Sequence, residues 1–261
     1  MKYHSLAARM VPASSRLRRN VRKALASGEP ELRLLPVLCD PQRTSLDIGA
    51  CRGVYAACLQ RYSARVIAFE PQPEYAGFVR RALPRVEVMQ CAVSDTESEA
   101  VLHVPDNTAD GGMAYVGSSA ARTVEFPATI RVRTVTIDGL DIQGVGFVKI
   151  DVEGLELAVL QGAKRTISRD LPNLLIEAEE RHRRDAVASV HSFLKPLGYE
   201  GWFVLNGMLH PIDLFSAELH QRPGALAERV ARTTDARSPY INNFVFVPAG
   251  VITPATLSEG I

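Results

Sequence analysis

Residues 45–53 read SLDIGACRG, a short apolar strand with an acid near its end, turning through two glycines into a helical run. So tight a strand-to-helix turn needs residues that tolerate left-handed or crowded backbone, and it leaves backbone N–H groups facing any ligand above it. Such a turn belongs in open sheets whose parallel strands are joined by crossover helices. The rest of the chain keeps the same alternation. Strands are expected over residues 65–69, 86–93, 147–152, 173–178, 202–205 and 243–247, and helices over 54–62, 74–83, 155–167 and 185–197. Strands alternating with helices pair in parallel through right-handed crossovers, so the expected fold is α/β with a doubly wound, mostly parallel sheet.

Two regions depart from this rhythm. Residues 1–43 form a basic arm in which Arg9, Arg16, Arg18, Arg19, Arg22 and Lys23 fall close together. Leu17, Val21 and Leu25 recur at helical spacing there, with Ser14 or Ser15 as cap and Gly28 and Pro30 as stop. The arm either docks its apolar stripe on the main domain or offers a basic face to an anionic or membrane-attached substrate. It is also a candidate contact for a homodimer. Residues 96–136 are rich in strand and turn signals and are expected to make a β-rich insertion, a hairpin or lid over the carboxyl edge of the sheet. The main domain is expected over 44–250, with 251–261 as a tail.

Composition excludes several classes. Apolar residues make up 46% and charged residues 23%, which is incompatible with wholesale disorder. Thirty basic against twenty-nine acidic side chains give +1, so no overall field holds the chain to nucleic acid. No apolar run is long enough for a transmembrane segment, and the arginine-studded first thirty residues lack the apolar core of a secretory signal. Cys39, Cys51, Cys58 and Cys91 form no C-x-x-C pair, which argues against zinc and for a reduced, cytoplasmic chain.

The chemistry-bearing residues gather at strand ends. Asp47, Gly49 and Gly53 form D-x-G-x-x-x-G. A dinucleotide fingerprint would put a second glycine where this chain has Cys51, so a diphosphate, and with it a nicotinamide dehydrogenase, is disfavoured while a nucleoside is not. The charge of Asp47 would repel phosphate and attract an ammonium group. Glu70 follows the second strand about twenty residues later and is placed to accept hydrogen bonds from both hydroxyls of a ribose, with Pro71 stiffening the turn behind it. In CAVSD, residues 91–95, small Ala92 leaves room for a flat base, and Asp95 or the backbone near Ala92 can take its amino group.

These elements, with FEP at 69–71, AVSD at 92–95, TIDGL at 136–140, KIDVEGLELAVLQGA at 149–163 and NNFVFVP at 242–248, resemble the FkbM-type S-adenosylmethionine-dependent methyltransferases. The resemblance covers residues 44–248 and leaves out the arm. Members of that family often carry Asn at the position of Cys51. The resemblance implies a class I, Rossmann-like methyltransferase with S-adenosylmethionine held by Asp47, Gly49, Ala50, Gly53, Glu70, Pro71, Ala92 and Asp95. It also implies methyl transfer to oxygen on a carbohydrate or glycosylated small molecule. The alternatives are O-methylation of a polyketide or macrolide-type product, or a cofactor-binding module without turnover.

For the acceptor, Asp151 and Glu153 stand two residues apart at the end of strand 147–152 and are expected to share one face; Glu177 and Glu179 repeat the relation on the next strand. Carboxylates on two adjacent strands can bind sugar hydroxyls, take a proton, or hold Mg²⁺ through Asp151 and Glu177. His182, in EERHRR at 179–184, is a further candidate base because its ordinary pKa is near neutral.

Overall fold

A computed structural model describes residues 11–27, 29–104, 115–116, 128–222 and 240–258. Its strands, in chain order, are β1 (Thr44–Ile48), β2 (Arg65–Phe69), β3 (Glu87–Met89), β4 (Ala92–Val93), β5 (Ser98–Val104), β6 (Tyr115–Val116), β7 (Ala128–Val135), β8 (Val145–Ile150), β9 (Asn173–Glu177), β10 (Tyr199–Leu205), β11 (Met208–Pro211) and β12 (Asn243–Pro248). Eight of them form one sheet in the order β11-β10-β12-β9-β8-β1-β2-β3. From β3 to β9 every pairing is parallel; β12, β10 and β11 run antiparallel at the far side. Strand order reverses between β1 and β8. In open α/β sheets the crevice at the carboxyl ends of such a switch is where ligands sit.

Burial explains why these segments are strands. Every residue of β1, β8 and β12 is buried, as a sheet covered on both faces requires. One face packs Leu46, Ile48, Val148, Ile150, Leu174 and Phe244 under the insertion and the helices that follow β8 and β9. The other packs Ala68, Phe147, Leu175 and Val245 under the amino-terminal helices.

Helix α1 (Ala13–Ser27) lies on that second face, with Leu17 fully buried and the Arg16 guanidinium 5.0 Å from the Phe78 ring centroid. Leu25, the last residue of the expected stripe, is 40% exposed. The segment after α1 is built into the core: Leu32, Leu34, Leu35 and Leu38 are buried within short helical turns at Pro30–Leu34 and Leu35–Leu38. Helices α2 (Val54–Leu59) and α3 (Pro73–Ala82) complete the layer. The carboxyl-terminal stretch is more than a tail, since Pro254–Ser258 is helical and buries Leu257 against the same face.

Three expectations are corrected. Residues 86–93 are not one strand: β3 pairs with β2 in the main sheet, whereas β4 pairs with β7 in a second, four-stranded sheet ordered β4-β7-β5-β6. That second sheet is the β-rich insertion, built on the antiparallel pair β5–β7, with a small core of Ala92, Leu102 and Val132; residues 105–114 and 117–127 lie outside the described residues. The helix expected over 155–167 is broken into α4 (Glu156–Gln161) and α5 (Lys164–Asp170). A Cβ at Gly162 would lie 2.1 Å from the Ser94 carbonyl oxygen, so the β4 exit presses into the break. Asp138 caps the new end, accepting from the Arg165 and Thr166 amides at 2.8 Å each, which satisfies donors a helix start leaves open. The helix expected over 185–197 is α6 (Ala186–Leu194) plus a 3₁₀ turn, Lys195–Leu197.

Candidate active site

The glycine turn is held against the end of β2. The Gly49 and Ala50 amides both donate to the Phe69 carbonyl, at 2.9 and 3.0 Å, and the Gly53 amide donates to the Ala50 carbonyl at 2.7 Å. Gly49 (φ 87°), Cys51 (φ 46°) and Gly53 (φ 72°) are left-handed, the conformation glycine adopts without steric cost. At Gly49 a second constraint acts: a Cβ there would lie 1.8 Å from the Asp151 carbonyl oxygen.

Glu70, 3% exposed, ties this turn to the next. Its Oε2 accepts from the Cys51 amide at 2.7 Å and its Oε1 from the Gln72 amide at 2.8 Å. Burial pushes its carboxyl up to about 7 against the pull of those two amides. Pro71 stands between Glu70 and Gln72, the residue that precedes α3. Asp47, buried in β1, is likewise pushed up to about 7, chiefly by burial, with Lys149 opposing. Its Oδ2 is buried without a hydrogen-bond partner among the described residues.

Lys149 is the residue that sequence reasoning missed. It lies in β8 beside Asp47 of β1 and is 1% exposed. Its Nζ is 3.8 Å from Asp151 Oδ2 and 3.8 Å from Glu177 Oε2. It donates to Asn243 Oδ1 at 3.3 Å and to the Ile150 carbonyl at 3.5 Å, and sits 5.1 Å from the Tyr55 ring centroid. Glu177 Oε1 accepts from Asn242 Nδ2 at 2.6 Å. Burial lowers the Lys149 pKa, but Asp151 and Glu177 outweigh it and the net shift is upward, so the ammonium stays charged. A signal was present: a lysine inside FVKIDV, in step with Asp151 on an otherwise apolar strand, must be buried and therefore paired.

The expected sharing of one face by Asp151 and Glu153 is not what the chain does. Glu153 has φ 56° and Gly154 φ 106°, so strand alternation ends at Ile150 and Glu153 turns to pair with His182 Nε2. Glu179 sits with it, 3.6 Å from His182 Nε2, gripped by Arg181 through two hydrogen bonds of 2.7 Å and by the Tyr240 hydroxyl. The four carboxylates thus sort into two pairs across the strands, Asp151 with Glu177 around Lys149 and Glu153 with Glu179 around His182. Burial lowers the His182 pKa, but the two carboxylates outweigh it and raise it overall. His182, 4% exposed, is an ion-pair partner here rather than a free base. Ala92 is buried in the second sheet, and Asp95 is exposed at its exit, its Oδ1 accepting from Ser94 Oγ at 3.1 Å.

The sequence matches the family described as the methyltransferase FkbM domain over residues 47–200. The chain belongs to the FkbM methyltransferase family. Among solved structures it is similar to methyltransferase FkbM from Methylobacillus flagellatus KT, at 16% identity and a TM-score of 0.51, covering 90% of this chain and 54% of that one. The chain therefore spans about half the length of that relative. It is also similar to a SAM-dependent methyltransferase from Aquifex aeolicus, at 15% identity, a TM-score of 0.43, and 90% and 97% coverage. A third is the O-methyltransferase from Bacillus cereus in complex with SAH, at 13% identity, a TM-score of 0.47, and 92% and 93% coverage. A search of curated proteins found no match.

Enzymes of this family depend on S-adenosylmethionine, and the residues present fit it: a left-handed glycine turn, an orphaned buried carboxylate oxygen at Asp47, and an acid at the end of β2. Mg²⁺ does not fit at Asp151 and Glu177, because the Lys149 ammonium already faces both. Among the described residues no group of three or more His, Cys, Asp or Glu is arranged for a metal ion, and no helix is long and apolar enough to cross a membrane.

Proposed function

We propose that this FkbM-family chain transfers a methyl group from S-adenosylmethionine to a hydroxyl of a carbohydrate or glycosylated small molecule. The observation that carries the reading is the contact between the glycine turn and Asp151. The Asp151 backbone packs on Gly49 while its carboxylate, 34% exposed, opens beside that of Glu177, 23% exposed. Acceptor-facing carboxylates thereby stand at the edge of the turn that cradles the cofactor.

S-adenosylmethionine, when bound, supplies a methyl carbon already activated by its sulfonium. In this reading Gly49, Ala50 and Gly53 cradle it, Asp47 faces its ammonium group, and Glu70 with Pro71 behind it takes the ribose hydroxyls. Ala92 and Asp95 border the base. Asp151 is pushed up to about 6 by burial, with Lys149 pulling it down and Glu153 pushing it up. It is then a carboxylate at neutral pH and basic enough to take a proton from a hydroxyl hydrogen-bonded to it, which contributes ~10²–10⁴-fold. Burial and Asp151 push Glu177 well up, so of the two carboxyls Glu177 is the readier to hold a proton and donate. One accepting and one donating carboxyl side by side match two neighbouring hydroxyls of a sugar. Holding the acceptor oxygen in line with the methyl carbon supplies ~7–11 kcal/mol of the barrier.

The test has two stages. Calorimetry with S-adenosylhomocysteine should show binding that Glu70→Ala weakens ~10-fold or more. Mass spectrometry after incubation of S-adenosylmethionine with a panel of glycans and glycosides should show O-methyl products, reduced ~10²–10⁴-fold by Asp151→Asn. No binding of S-adenosylhomocysteine, or methyl groups found only on nitrogen, defeats the proposal.

A further inference from the structure

A lysine in a central strand surrenders its hydration, and an unpaired buried ammonium costs several kcal/mol. Lys149 is held from three directions by groups that do not titrate near neutral pH: the Asn243 amide oxygen at 3.3 Å, the Ile150 carbonyl at 3.5 Å and the Tyr55 ring at 5.1 Å. They come from β12, β8 and α2, so Nζ cannot slide toward either carboxylate alone. It remains 3.8 Å from both. At 1% exposure no acceptor can touch it, so any effect it has on the reaction passes through its partners.

We infer that Lys149 is a positioning residue: its buried ammonium fixes Asp151 and Glu177 as a pair and holds Asp151 in the ionised form that accepts the acceptor's proton. This rests on the methyl-transfer reading above. The balance of charge around Asp151 requires it. Burial, and the charges of Glu153 on the same loop, Glu29 from the amino-terminal segment and Glu179 from the exit of β9, disfavour a negative charge there, and Lys149 opposes them. Methyl transfer itself is unaltered in its balance: the hydroxyl oxygen bonds to the methyl carbon, the carbon–sulfur bond breaks, and the hydroxyl proton goes to Asp151.

The test is a carbon-13 NMR titration of protein labelled at its aspartate carboxyl carbons, with Asp151→Asn identifying the Asp151 signal. In Lys149→Met the Asp151 midpoint should rise by about one pH unit or more, a roughly tenfold loss of carboxylate at a given acidic pH. Lys149→Arg should bring it back toward the wild-type value. An unmoved midpoint in folded Lys149→Met overturns the inference. Should that variant fail to fold, Asn243→Ala, which frees one anchor of Nζ, carries the test: a smaller upward shift supports the inference and an unmoved midpoint overturns it. Calorimetry with S-adenosylhomocysteine on the wild-type protein separates the two claims, since absent binding defeats the methyl-transfer reading whatever the titration shows.

Discussion

The carbonyl oxygen of Asp151 occupies the space beside Gly49 that any side chain would need, 1.8 Å from an ideal Cβ. In return the Asp151 amide donates to the Ile48 carbonyl at 2.9 Å, continuing the β1–β8 ladder one step past the strands. The turn that would cradle a cofactor and the carboxylate that would meet an acceptor are therefore one mechanical unit, built where strand order reverses.

Gly49→Ala should break that unit. The substitution adds a Cβ at φ 87° and drives it into backbone that cannot swing aside, costing about 2 kcal/mol or more. Thermal melting should fall by at least about 4 °C, and S-adenosylhomocysteine binding should be lost. A melting point and affinity equal to wild type would contradict the geometry.

The pair of His182 with Glu153 and Glu179 predicts a pH-dependent cost. Because the folded pKa of His182 is raised, the stability it contributes is fully present below its ordinary pKa of about 6.5 and is lost as pH rises through the folded value. His182→Gln should therefore destabilise on the order of 1–3 kcal/mol at pH 6 and much less at pH 9, read from urea denaturation at both pH values. Equal cost at both would remove the ion pair from the account.

Asp47 and Glu70 act in an overlapping window. Both are pushed up to about 7, so between pH 4 and 7 the folded chain binds protons that the unfolded chain has released. Their contribution is complete below their ordinary pKa values near 4 and disappears as pH rises through about 7. Unliganded protein should lose stability from pH 5 to 8, and Asp47→Asn should flatten the decline, gaining at least about 1 kcal/mol at pH 8 relative to its effect at pH 5. A profile indifferent to Asp47→Asn would show that burial is not shifting that group.

Chelation should leave the proposed methyl transfer unaffected. The Lys149 ammonium takes the place between Asp151 and Glu177 that a divalent cation would need. Methyl transfer measured with and without EDTA should agree within about twofold, a margin set by the small free energies involved. Loss of activity restored by added Mg²⁺ would contradict the placement of Lys149.

Much of the architecture was legible in the residues because its causes are local. Gly49 and Gly53 announce left-handed backbone, Glu70 follows its strand directly, and the apolar runs at β1, β8 and β9 are short enough to be only buried strands. Where the reading failed, the deciding forces were distant in sequence. Residues 86–93 look continuous, yet Ala92 and Val93 find better partners in Thr134 and Val135 of the insertion. The helix after β8 reads as one run until Ser94 presses on Gly162.

For the carboxylates of the candidate site the division is sharper. Alternation along a strand tells which side chains share a face only while the backbone stays extended, and Glu153 leaves that regime at φ 56°. Which carboxylates become neighbours depends on register: Lys149 aligns with Leu175 and Ile150 with Ile176, which carries Asp151 alongside Glu177. The sequence by itself determined that acids would stand at the ends of these strands and that a glycine turn would precede them. Only the tertiary structure decided that a buried lysine would lie between two of those acids and a histidine between the other two, because the pairing of charges drawn from separate strands is set by the long-range packing that aligns them.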